Sequence, residues 1–106
     1  MSLSRALESL SKVGALRQQL QALCTKCTQL DEQRIDLVEV INQEQKLASQ
    51  AESDAQRHDN HHRFEAAHRQ RGQATDHAHR VQQVSKEALR VQVHLHHMQN
   101  LFVLLC

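Results

Sequence analysis

The sequence predicts an all-α protein, an antiparallel helical bundle or coiled coil of two long helices or of three in the spectrin-like manner. Three observations lead there. From Val13 to Ala48 the chain keeps a heptad: Val13, Leu20, Cys27, Arg34, Ile41 and Ala48 at a, with Leu16, Leu23, Leu30, Leu37 and Glu44 at d. Apolar residues three and four apart share one side of a helix, and four leucines in succession at d mark a packing seam. Second, the 106 residues hold no proline and only two glycines, Gly14 and Gly72, so little interrupts a helix. Third, Phe64 and Phe102 are the only aromatic residues besides histidine, with no Trp or Tyr, so any core is built from Leu, Val, Ile and Ala, as in a narrow seam.

The chain reads as one domain, with a helix over about residues 4–56, a turn over about 57–62 and a helix over about 63–104. Ser2 or Ser4 is suited to cap the first helix. The seam thins through Ala51 and Ala55, and Asp59-Asn60 is the strongest turn signal in the chain. In the second helix the early seam is Phe64, Ala67, Ala74 and Ala78. It becomes regular at Val81, Val84, Ala88, Val91, Leu95, Met98, Phe102 and Leu105. Gly72 is the expected kink or break, with Thr75 as the cap of a separate helix. Folding the chain back at residue 60 sets Val91 on Leu30, Leu95 on Cys24 to Cys27, and Phe102 on Leu16 to Leu20. Ile35, Val38, Leu89 and Val93 lie off this stripe, and a third helix, a second copy or a partner is expected to cover them.

Charge divides unevenly. Residues 1–60 carry nine acidic side chains against seven Lys or Arg, and residues 61–106 carry three against six, with eight of the nine histidines. The smaller reading is two helices of opposite sign lying side by side. The larger is a basic face at Arg63, Arg71, Arg80 and Arg90 that meets an acidic protein partner. Aromatic stacking platforms and groove-reading folds are missing, so nucleic acid is not expected. No run approaches the ~20 apolar residues of a membrane span, and no apolar leader is visible, so a cytoplasmic protein is expected.

The chemistry-bearing residues read as structural. Cys24 and Cys27 have redox or zinc spacing but sit within a heptad helix, where cysteine packs as a small hydrophobe. His58 with His62, and His94 with His97, are spaced to share a helix face, yet no carboxylate or cysteine completes a metal site. His77 and His79 point to different sides. The run from Leu101 to Cys106 is expected to pack on Leu7 to Leu20. No phosphate loop or nucleophile elbow is present, so neither an enzyme nor a cofactor is expected.

Several spaced residues resemble the tubulin-binding cofactor A family. Lys12-Val13-Gly14-Ala15-Leu16-Arg17 is similar to the start of that family's first helix. Glu32-x-Arg34-Ile35 resembles a later acidic-basic-Ile stretch. Glu65, Arg71, Asp76, Arg80 and Val81 fall at spacings like those of its second helix. The similarity covers residues 12–36 and 61–90. It implies a small three-helix cytosolic chaperone that captures β-tubulin and passes it on for assembly with α-tubulin, without nucleotide or metal. The four arginines would then meet an acidic tubulin surface, and the protein would associate with the cytoskeleton. The competing expectation is a coiled-coil structural subunit of a larger cytoskeletal or tethering complex. A homodimer is compatible with either.

Overall fold

The computed structural model describes residues 3–105. Two helices account for nearly all of them: α1, Leu3–Asn60, and α2, Phe64–Leu105. They pack as an antiparallel hairpin with no strand among the described residues. Of the two arrangements expected, the two-helix one is observed. Ser4 lies within α1 rather than at its cap, and Ser2 lies outside the described residues.

α2 runs through Gly72 without a break. Nothing lies within 4 Å of where a Cβ on Gly72 would point, so the glycine fills no packing need there. Thr75 is not a cap. Its hydroxyl donates to the Arg71 carbonyl 3.0 Å away, one turn back, which satisfies the hydroxyl inside a continuing helix.

The reversal falls later than Asp59-Asn60, because α1 continues through both residues. His62 takes a left-handed conformation, φ 57°. Its N–H donates to the Asp59 carbonyl at 3.0 Å, and the Arg63 N–H reaches back to the His58 carbonyl at 2.8 Å. This pair of bonds is the Schellman ending, which needs one left-handed residue and usually finds glycine there. The Arg63 carbonyl then accepts the first bond of α2, from the Ala67 N–H at 3.0 Å, and Glu65 stands in the positive first turn. One residue thus ends the first helix and begins the second. The chain pivots near His62 instead of residue 60, so the cross-helix pairings lie later along α2 than a fold-back at residue 60 gives. Glu44 meets His77 and Arg80, one and four residues beyond the expected residue 76.

The chain forms two compact units. In residues 34–90 the buried apolar side chains are Ala51, Ala55, Ala67 and Ala74, with Ala55 and Ala67 at 0% exposure. Leu37, Ile41, Ala48, Val81, Val84 and Ala88 are half-buried around them. Gln70 and His77 occupy seam positions in α2, whereas Phe64 and Ala78 are exposed. The early α2 seam is therefore Ala67, Gln70, Ala74, His77, spaced three and four like the rest.

In residues 3–33 with 91–105 the buried side chains are larger: Leu30, Val91 and Leu95. Leu20, Leu23, Cys27, Met98, Leu101 and Phe102 are half-buried. The seam is covered from Leu20 onward, and Val13 is 64% exposed. Leu16, Val103 and Leu104 are also exposed, so the apolar run from Leu101 does not pack on Leu7 to Leu20. Phe102 instead lines a groove of about 310 Å³ with Cys24, Cys27 and Gln99, four to seven residues beyond the expected Leu20. Cys106 lies outside the described residues.

Candidate interaction face

Polar residues in the 34–90 unit are placed by the same heptad that places its alanines. Glu44 sits at a d position of α1 and His77 at the corresponding seam position of α2, with side chains only 17% and 20% exposed. The Glu44 carboxylate accepts a hydrogen bond from His77 Nδ1, and Arg80 Nη1 approaches its other oxygen at 3.7 Å. An ionised carboxylate only accepts, so this contact puts the imidazole hydrogen on Nδ1. The result is a polar layer within an otherwise apolar seam. Such a layer costs stability and fixes register, since sliding either helix leaves half-buried polar groups without partners. Glu44 was visible in the sequence as a charge in the seam; its partner His77 was not, because a polar residue in a seam reads as solvent-facing surface.

Asp59 and Arg71 form a second cross-helix pair at the edge of the seam. The hydrogen bond to Asp59 raises the Arg71 guanidinium above its ordinary value. Burial lowers it less, and the charges of Asp59 and Glu52 add to the rise. Arginine is already cationic at any ordinary pH, so the raised value does not alter its charge there, and the stabilisation it represents is lost only far into alkali. Both side chains are open to water, so the contribution is small and screened by salt. Asp54 and Arg57 pair on the surface of α1 at 2.6 Å.

The four arginines expected to form one basic face are therefore distributed otherwise. Arg71 and Arg80 stand nine residues apart, two and a half helical turns, and so lie on opposite edges of the seam. Each is engaged by an α1 carboxylate, Asp59 or Glu44. Arg63 belongs to the turn, where it borders a recess with Asp54, Arg57, His58 and His61. Arg90 is exposed on α2. Likewise His62 sits in the left-handed turn position and does not continue the α1 face that carries His58. Among the described residues, no three of His, Cys, Asp and Glu come together as a metal-binding group. No helix among them is long and apolar enough to cross a membrane. Cys24 is exposed and Cys27 half-buried, and both are free thiols.

What the seam leaves outside on one side is a face of mostly small and amide side chains, with Glu52 and Arg71 among them. Ala48, Ser49 and Glu52 of α1 and Ala74, Thr75 and Ala78 of α2 line an open groove of about 480 Å³. A second groove of about 600 Å³ continues it along Gln45, Val81 and Gln82. Residues seven apart share a side, so Ile35 stands above Ser49, Val38 above Gln45, and Leu89 above Gln82. All three are exposed. At the turn end Phe64, seven before Arg71 and fourteen before Ala78, is 64% exposed on this same side and packs edge-on against the His62 ring. The other side carries Val40 and Leu47 among charged neighbours such as Asp54 and Arg57. Comparison with protein-family models, with curated proteins and with solved structures finds no match to this chain.

Proposed function

We propose that this chain is a protein-binding helical hairpin, a coiled-coil structural subunit of a larger cytoplasmic assembly of the cytoskeletal or tethering kind. One observation carries the reading. The seam within residues 34–90 is already closed by its alanines, yet Ile35, Val38 and Leu89 remain exposed on the side floored by Ala48, Ser49, Thr75 and Ala78. Apolar side chains grouped on one side of a helix pair are the usual mark of a further helical contact. Tubulin capture is the second reading. It is supported by the resemblance at Glu65, Arg71, Asp76, Arg80 and Val81. Against it stand the count of two helices where the resemblance implies three, and the engagement of Arg71 and Arg80 by α1 carboxylates.

Retention of partners from cell lysate on the purified chain separates the two. The subunit reading expects the same few helical proteins in every preparation, lost when Val38 and Leu89 are both changed to Glu. Recovery of β-tubulin without α-tubulin, lost on charge reversal at Arg63 and Arg90, would replace it with the cofactor reading.

A further inference from the structure

We propose that Cys24 and Cys27 form a two-thiolate site for a soft monovalent metal ion, and that copper(I) is the ion that fits it. Packed as small hydrophobes, both cysteines would be buried, and neither is. Cys24 is exposed and Cys27 half-buried, and both thiols are free. They share one groove of about 310 Å³ with Gln99, Phe102 and Val103 of α2. The stretches that line it belong to the same compact unit, residues 3–33 with 91–105.

Spacing decides what the pair can do. Residues three apart on a helix hold their Cβ atoms ~5–6 Å apart. A disulfide needs ~3.5–4.5 Å, so forming one would deform α1 within its length. An ion between the two sulfurs suits the helix as it stands. Two metal–sulfur bonds of roughly 2.3 Å in line span about 4.6 Å.

Ligand number decides which ion. Zinc in a closed site takes four ligands, and no three of His, Cys, Asp and Glu come together among the described residues. Phe102 and Val103 offer no donor, and the Gln99 amide is a poor ligand for a soft ion. Copper(I) is soft, selects thiolate, and is satisfied by two sulfurs in line. On binding, each S–H gives its proton to water and each sulfur forms one bond to the metal. Copper stays copper(I), so no oxidant or reductant is consumed. The complex carries one negative charge, which the water at exposed Cys24 and the Gln99 N–H groups can solvate, while Phe102 and Val103 keep further ligands away. The site lies outside residues 34–90 and does not depend on the assembly reading.

Anaerobic titration with copper(I) in competition with the chelator bicinchoninate tests it. With Cys106→Ser as background, the full-length chain is expected to take one ion from the chelator and to melt at a higher temperature when loaded. Cys24→Ser and Cys27→Ser are each expected to abolish that binding with helix content unchanged. Excess zinc is not expected to displace the ion. A second pair separates a built site from thiol chemistry alone. In a chain whose own three cysteines are changed to serine, Gln82→Cys with Ser85→Cys sets the same spacing at exposed positions of α2. That pair is expected to bind roughly 10-fold or more weakly, because no apolar wall shields it from water. Equal affinity there means an adventitious ion only and overturns the proposal. So does failure to bind in the Cys106→Ser background, full binding by either serine variant, or displacement by zinc.

Discussion

The two units follow the same heptad with different side chains. In residues 34–90 the seam is closed by four alanines and crossed by a Glu44–His77–Arg80 layer. In residues 3–33 with 91–105 it is closed by Leu30, Val91 and Leu95. Each CH₂ taken from water is worth about 0.8 kcal/mol, so an alanine layer contributes far less than a leucine layer. What alanine gives instead is proximity and a shallow groove. Stability and access are thus divided: one unit gains from buried volume, and the other presents small residues and amides to a further helix.

Substitutions in the two seams should therefore fail in opposite ways. Leu30→Ala removes a side chain that is 4% exposed and should cost about 2–4 kcal/mol, through lost transfer energy and a residual cavity. Ala55→Leu forces bulk into a site with no exposure and should cost about 1–3 kcal/mol through overpacking. Chemical denaturation of both variants checks this. If Ala55→Leu stabilised the protein, the alanine seam would be underfilled rather than closely packed, and the comparison would fail.

A smaller effect is expected at the polar layer. Glu44→Ala leaves His77 and Arg80 without their acceptor and should cost about 1–2 kcal/mol. Glu44→Leu with His77→Leu removes both partners and should be neutral or stabilising, because the desolvation cost goes with them. The double variant should also lose fidelity of pairing, seen as more than one helix register by cross-linking across the hairpin. A double variant as unstable as Glu44→Ala would mean that the layer holds the unit together rather than fixing its register.

Much of this was legible in the sequence, and the misses have physical causes. The seam from Leu20 to Leu30 is apolar and periodic, so the leucine-lined unit could be read directly. Gln70 and His77 were hidden because a polar residue in a seam looks like solvent-facing surface until its partner is known. The turn was misplaced because Asp and Asn are favoured in turns by their side-chain bonding. Here, however, the reversal is made by backbone bonds around one left-handed residue, and that residue is a histidine. The arginines were taken together because they follow one another in sequence. Their spacing puts Arg71 and Arg80 on opposite edges, and the carboxylates that engage them lie on the other helix.

The smallest effects concern the backbone of the alanine-lined unit, and they ask whether its helices are held by packing or by local geometry. At Gly72 the helix is continuous and the space for a Cβ is open, so Gly72→Ala should stabilise by roughly 0.5–1 kcal/mol, by restricting the unfolded chain. At His62 the left-handed conformation is carried by a residue with a Cβ, so His62→Gly removes that strain at the cost of a freer unfolded chain. Its gain should be no more than about 1 kcal/mol, reduced by the loss of the ring contact with Phe64. His62→Val, which is β-branched and poorly suited to positive φ, should destabilise instead. Thermal melts of the three variants are sufficient. If glycine and valine at position 62 had the same effect, the reversal would not depend on the left-handed residue. The tertiary contacts of residues 34–90 would then set the turn, and not the turn those contacts.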